Sequence, residues 1–290
     1  MPLKTIIARK RIRLSRLAKT FGISRDEFSR ALALGGVQVN GKRVKDSALP
    51  VPQGATLSVC WGEDPPVFSF DHQWIIFEDK WLICMNKPAG MTTQGTRCFD
   101  VNHLYFFVKQ YLGAYAGLHH RLDRDTTGLV LFTKDPSVNR TLGELFQKKT
   151  IRKSYLACVH GEIGAPFTVD SPIGRVPGAK PARFWVNGEN PKDAITELTP
   201  LATRNGLTLV QARPLTGRTH QVRIHLAATG TPIVGDSFYN RDEALRNLRP
   251  LLHCKSLRFP HPETGELMEL TAPLPEDFKS FLEEKGFDPV

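Results

Sequence analysis

The stretch His120-Arg121-Leu122-Asp123-Arg124-Asp125-Thr126-Thr127-Gly128 empties directly into the apolar run Leu129-Val130-Leu131-Phe132. An acidic turn followed at once by a continuous apolar run reads as a loop that delivers a carboxylate to the rim of a buried strand. Asp123 stands between Arg121 and Arg124, so the carboxylate sits among positive charges. Asp125 precedes Thr126-Thr127-Gly128 and is the better turn former, because a short acceptor side chain closes a turn on its own backbone. The structural role therefore falls to Asp125, and Asp123 is the candidate for chemistry.

The sequence around this loop supplies partners for such a strand. Trp74–Phe77 and Leu82–Met85 are apolar runs separated by Glu78-Asp79-Lys80, a hairpin signal, and Asn86-Lys87-Pro88-Ala89-Gly90 ends the second run. Further strands are predicted near 153–160, 194–201, 206–213, 252–259 and 267–272. Helices are predicted over His103–Leu112, from Pro136 to about Lys148 with Leu142, Leu145 and Phe146 inside, over 218–228 closed by Gly230, and from Pro275 onward. The Pro/Gly-rich segment 176–191 reads as a loop. Strands with irregularly interspersed helices predict an α+β domain over 73–290, built on a mixed, mainly antiparallel central sheet with a catalytic cleft.

A smaller α/β module occupies residues 1–60. Leu14, Leu17, Ala18 and Phe21 follow a helical period that Gly22 closes. Ser24 and Glu27 have capping-box spacing, and Phe28, Ala31 and Leu32 form the inner face of a second helix stopped by Gly35-Gly36. Val37-Gln38-Val39 alternates like a strand, Asn40-Gly41 signals a hairpin, and Thr56–Cys60 closes the module as a strand. Residues 61–72, with Pro65-Pro66, read as a linker. Of the formal net charge of +10, the first 60 residues carry an excess of nine, with five Lys and seven Arg against Asp26, Glu27 and Asp46. The other 230 residues hold 27 basic and 26 acidic side chains. This asymmetry predicts a polyanion-binding module on a near-neutral body.

Several classes are disfavoured. No apolar run approaches the roughly 20 residues of a membrane span, so no membrane partner is expected. The basic start, which a transit peptide would share, continues into a patterned helix and reads as domain sequence. Cys60, Cys84, Cys98, Cys158 and Cys254 are odd in number and form no CxxC pair, which predicts buried thiols in a reducing cytoplasm rather than a disulfide framework or a zinc knuckle.

The 120–128 loop resembles the HRLD motif of the RluA-like family of RNA pseudouridine synthases. Ile151-Arg152-Lys153-Ser154-Tyr155-Leu156-Ala157 resembles that family's second motif, and Thr216-Gly217-Arg218-Thr219-His220-Gln221-Val222-Arg223-Ile224-His225 its third. Asn86–Gly90, the degraded Lys192–Thr196, Gly230–Asp236, Leu252-His253-Cys254, Pro260-His261-Pro262 and Ala272–Pro275 match in the same order. Residues 1–60 resemble an S-four-like RNA-binding domain through Ser24-Arg25 and Gly36–Gly41, although Arg13-Leu14-Ser15 stands where that family often has Arg-Leu-Asp.

The resemblance implies an isomerase that detaches uracil from ribose, turns it and rejoins it through ring carbon five, chemistry that demands no cofactor and no metal. It implies Asp123 as catalytic acid or nucleophile; attack on the sugar, attack on the base and proton abstraction from the ribose all stay open. Tyr155 would stack on the uracil and take the proton from ring carbon five, Arg223 would pair with Asp123, and Ile224 would pack against the base. Arg121 would enter the space left by the flipped nucleotide. Arg218 and His220 would begin a helix, placed for hydrogen bonding or phosphate contact. Arg9, Arg11, Arg13, Arg16 and Arg25 would meet RNA phosphates. Ribosomal RNA is the favoured partner, transfer RNA is the other candidate, and a monomer is the default. Two alternatives stand beside this reading. One is a metal hydrolase using His119, His120, Asp123 and Asp125, which Arg121 and Arg124 oppose by repelling a cation. The other is a non-catalytic RNA-binding or ribosome-assembly protein on the same fold.

Overall fold

The structure, a computed structural model, describes residues 3–62, 66–179, 182–240 and 248–288. Residues 63–65 of the expected linker, 180–181 of the Pro/Gly-rich segment, and the terminal pairs 1–2 and 289–290 of the two expected domains lie outside the described residues. Contacts divide the chain into two units, Met1–Phe70 with Met91–Ala114, and Asp71–Gly90 with Tyr115–Val290.

In the first unit a four-stranded sheet runs in the order Leu3–Ile7, Thr56–Cys60, Val37–Val39, Lys42–Arg43. The helix Arg25–Ala33 starts with the expected capping box, Ser24 Oγ accepting from Glu27 N–H at 3.1 Å and Glu27 Oε2 accepting from Ser24 N–H at 2.8 Å. Asn40 and Gly41 both take positive φ, as the Asn-Gly hairpin requires. The single helix expected over 14–21 is instead a 3-10 turn, Leu14–Arg16, followed by a short α-helix, Ala18–Phe21. Leu14 and Ser15 donate their N–H groups to Leu49 and Ser47, which ties the first turn to a neighbouring segment and breaks the helix there. The strand Leu3–Ile7, absent from the sequence expectation, is largely exposed and carries no buried alternation to read.

Met91–Ala114 packs with this first unit. Asp100 N–H bonds Leu34 O at 2.8 Å, and the Arg43 guanidinium donates to the carbonyls of Gly35 and Thr96 and lies 3.6 Å from Asp100. Cys84, Cys158 and Cys254 are free and buried, but Cys60 and Cys98 form a disulfide with Cα atoms 4.9 Å apart. Gly36 permits the approach, since a Cβ there would lie 2.9 Å from the Cys98 carbonyl oxygen. Partners 38 residues apart show no spacing motif in the sequence.

The second unit is built on a ten-stranded sheet. Its main path is Phe167–Asp170, Ile195–Arg204, Leu207–Pro214, Arg152–His160, Leu252–Pro260, Thr127–Thr133, Leu82–Lys87, Ile75–Glu78, with Leu267–Thr271 and Gly117–Leu118 paired off the path. All of these pairings are antiparallel except Thr127–Thr133 with Leu252–Pro260, so the fold is the expected α+β class on a mixed, mainly antiparallel sheet. Thr127–Thr133 is buried along its whole length. The helices Asn139–Gln147 and Glu276–Glu284 fall where expected.

The 176–191 segment is not the plain loop expected. Phe184–Val186 and Glu189–Lys192 both pair with Ile173–Arg175 in a separate three-stranded sheet. Gly174 and Gly188 lie backbone to backbone, a Cβ on Gly188 falling 2.6 Å from the Gly174 carbonyl. Glycine here serves close strand approach rather than looseness.

Candidate active site

The turn that carries Asp123 is closed by a bond from Thr126 N–H to Asp123 O at 3.2 Å. It is anchored at both ends. At one, Thr127 Oγ1 lies 2.8 Å from His253 Nδ1 on the adjacent parallel strand. At the other, the fully buried Lys87 donates its ammonium protons to the carbonyls of Arg124 at 2.8 Å and Pro88 at 2.9 Å. Burial pulls the Lys87 pKa down to about 7, against the attraction of Asp125 and Asp123. The Asp125 side chain pairs with its neighbour Arg124 at 3.2 Å.

Arg223, on the helix Gln221–Ala228, donates from one terminal nitrogen, NH1, to Asp123 Oδ2 at 3.2 Å. Its Nε and its other terminal nitrogen, NH2, grip Asp236 at 2.7 and 2.8 Å. The Tyr239 ring lies against the guanidinium, 5.2 Å from its carbon. Burial disfavours a charged Arg223, but the hydrogen bonds and charges of Asp236, followed by those of Asp123, outweigh it and push the pKa upward. Tyr239 also meets His220, hydroxyl to Nδ1 at 2.9 Å, and His220 Nε2 is 3.7 Å from Asp123 Oδ2. Burial lowers the His220 pKa and Asp123 opposes that shift.

The expected helix start at Arg218 is corrected to Gln221, because His220 takes φ 55 and ψ 21 and breaks the helical path. The Gln221 side chain organises this turn. Its amide oxygen accepts from Thr216 Oγ1 at 2.7 Å and Arg218 N–H at 3.0 Å, and its amide nitrogen donates to Ile195 O and Thr196 Oγ1. Left-handed backbone at a histidine is an uncommon, strained state, and it accompanies the turn of the imidazole toward Asp123.

Tyr155 lies on the strand Arg152–His160 at a bulge, in register with Cys254 on one side and Ala212 on the other. Its phenol is buried and hydrogen-bonded with the Cys254 thiol. Burial first, then Cys254 and Asp123, hold its pKa well above the usual 10, so the phenol is protonated at neutral pH. Ile224 has no exposed surface and sits in a cluster with Ile173 and Ala194, against which Phe184, Trp185, Val186 and Tyr239 pack. Arg121 is exposed and donates to Thr219 Oγ1 at 3.3 Å. Arg218 donates to Asp193 O at 2.9 Å. Arg9, Arg11, Arg13, Arg16 and Arg25 are all exposed on the first unit. His119 and His120 turn away from Asp123, His120 Nε2 accepting from Leu131 N–H at 2.9 Å and His119 Nε2 lying 3.3 Å from Thr133 Oγ1.

Residues 81–228 match the family model described as RNA pseudouridylate synthase. Ribosomal large subunit pseudouridine synthase C of Pasteurella multocida (strain Pm70) is 34% identical, over 92% of this chain and 87% of its own length. This chain belongs to the RNA pseudouridylate synthase family. Ribosomal large subunit pseudouridine synthase D of Nitrosomonas europaea is 35% identical, over 72% of this chain and 64% of its own length. Among solved structures, human RNA pseudouridylate synthase domain containing 4 superposes with a TM-score of 0.61 at 25% identity, covering 72% of this chain and 91% of that one.

The synthase is thus an isomerase acting on RNA. The family match encloses Asp123, Tyr155 and Arg223 and ends before Asp236 and Tyr239. Neither of these two stood out in the sequence. Gly235-Asp236 lies in a matching segment, but a lone Asp after Gly is an ordinary turn signal, and Tyr239 lies in no recognised motif. The buried Lys87 was likewise visible only as part of an entry segment.

Proposed function

We propose that this chain converts uridines of ribosomal RNA to pseudouridine, with Asp123 as the reacting carboxylate. The observation that carries the proposal is the approach of Arg223 NH1 to Asp123 Oδ2 at 3.2 Å, beneath a loop fixed by Lys87 and His253. The names of the Pasteurella and Nitrosomonas relatives support ribosomal RNA as the substrate.

In this reading Asp123 works at the ribose–base junction while the glycosidic bond from ring nitrogen one breaks and the bond from ring carbon five forms. Arg223 orients the carboxylate through its bond to Oδ2. Tyr155 faces the detached uracil, and its phenol, protonated at rest, takes the proton leaving ring carbon five only as it releases its own proton to water. Arg121 occupies the gap left by the extruded nucleotide, offsetting part of the few kcal/mol that extrusion costs. The first unit, with its exposed arginines, docks the RNA through phosphates, and Arg218 and His220 contribute at the site. The protein acts as a monomer in the cytoplasm, where ribosomal RNA is its substrate.

The test is tritium release from RNA labelled at ring carbon five of uracil, taken from cells lacking this protein. Release by wild type and none by Asp123→Asn is the expected result, and mapping the new pseudouridines names the target. No release by either, with RNA binding intact, would replace the enzyme with a binding protein. Equal release by both would remove Asp123 from the chemistry.

A further inference from the structure

Arg223 is shared between two carboxylates, and the sharing is unequal. Asp236 takes Nε and NH2 in a two-bond grip at 2.7 and 2.8 Å, and Asp123 takes only NH1, at 3.2 Å. A guanidinium has one edge suited to bidentate pairing through Nε, so an Asp236 that occupies it decides how the remaining nitrogen points. Asp236 is 1% exposed, and its position is set by its own turn. Asp236 Oδ1 accepts from Phe238 N–H at 3.1 Å and Tyr239 N–H at 3.3 Å, and the Asp236 carbonyl accepts from Asn240 N–H at 2.7 Å. Gly235 takes φ +77, and a Cβ there would fall 2.9 Å from the Leu248 Cβ, so the entry to this turn is fixed as well.

The same turn presents Tyr239, whose ring covers the Arg223 guanidinium and whose hydroxyl reaches His220. Both groups that approach Asp123 Oδ2, Arg223 at 3.2 Å and His220 at 3.7 Å, therefore trace back to residues 236–239.

We propose that Asp236 is a positioning residue for the isomerisation: by holding the Nε edge of Arg223, it presents a single N–H, on a guanidinium whose charge is already paired, to Asp123. The proposal rests on the synthase reading above. With Asp236 in place, Asp123 is oriented by one hydrogen bond rather than locked in a two-bond ion pair, and its carboxylate stays available to react. Without Asp236, Arg223 is free to swing and close its bidentate edge on Asp123.

The experiment measures kcat and KM for tritium release from the same RNA with wild type, Asp236→Asn, Asp236→Glu, Arg223→Lys and the double variant Asp236→Asn/Arg223→Lys. Asp236→Asn is expected to lower kcat about 10- to 100-fold, the range for groups that orient a reacting residue, with KM within about threefold of wild type. Asp236→Glu keeps the charge but shifts it by one methylene, and is expected to show the same split. Lysine cannot bridge two carboxylates as arginine does, so adding Asp236→Asn to Arg223→Lys should cost less than threefold more. A kcat for either Asp236 variant within threefold of wild type overturns the proposal, and if Asp236→Asn fails to fold the Glu variant decides. Fully additive losses in the double variant also overturn it, because they assign Asp236 a general structural role. A wild type that releases no tritium overturns the synthase reading, and this proposal with it.

Discussion

Gly128 pairs with Cys254 where the large sheet turns parallel, and the pairing leaves no room for a side chain at Gly128. Its φ is +107, and a Cβ would lie 2.7 Å from the Cys254 backbone nitrogen. Gly128→Ala should therefore destabilise the protein by about 2–4 kcal/mol, combining a disfavoured backbone with overpacking. Urea unfolding measures this, and a loss below 0.5 kcal/mol would contradict the packing described.

Lys87 predicts a pH signature. Its folded pKa of about 7 lies below the ordinary 10.5, so between those values the unfolded chain binds more protons than the folded one. The cost of burying the ammonium is fully present below pH 7 and is relieved as pH rises toward 10.5. This one group adds up to about 1.4 kcal/mol of stability per pH unit in that window. Lys87→Met should abolish that contribution, so the stability of wild type relative to the variant should grow between pH 7 and 9. Urea titrations at pH 7, 8 and 9 that keep a constant gap would refute it.

Tyr155→Phe should lower tritium release at least about 100-fold, the scale of a lost proton-transfer group. RNA retention on filters should persist, since the ring remains. The lost bond to Cys254 should cost about 1 kcal/mol of stability. Activity within threefold of wild type would take proton transfer away from Tyr155.

Replacing Arg11, Arg13 and Arg16 with alanine should weaken RNA binding and flatten its salt dependence. Each lost phosphate contact removes about 0.7 from the slope of log affinity against log salt for single-stranded RNA. A triple variant with an unchanged slope would show that these exposed arginines do not meet phosphates.

The capping box is the simplest local test. Ser24→Ala removes the acceptor for Glu27 N–H and should cost about 1 kcal/mol of stability, read by thermal or urea unfolding. An unchanged midpoint would mean that the neighbouring packing alone holds this helix end.

What was legible in the sequence followed short-range physics. Ser24 to Glu27, Asn40-Gly41 and the run 129–132 each act over a few residues, and each produced the element expected. What was not legible depended on partners far along the chain. Cys60 meets Cys98 through a glycine approach, and Phe184–Val186 and Glu189–Lys192 become strands because Gly174 and Gly188 touch. The same division holds at the site. Asp123, Tyr155 and Arg223 lie in recognisable motifs, whereas Asp236 and Tyr239 reach Arg223 only through where their turn falls. His220 falls within the helix predicted over 218–228, and its left-handed backbone accompanies the bonds that Gln221 makes back to Thr216 and Arg218.

The strand Leu252–Pro260 lies between the strand that follows Asp123 and the strand that carries Tyr155, touching both. It is also translated more than 120 residues after Asp123. During synthesis from the N-terminus, the Asp123 turn, Tyr155 and Arg223 all leave the ribosome before the strand that seats the first two beside each other. A growing chain that stops short of Leu252 holds Asp123, Tyr155 and Arg223 but lacks the strand that joins the first two.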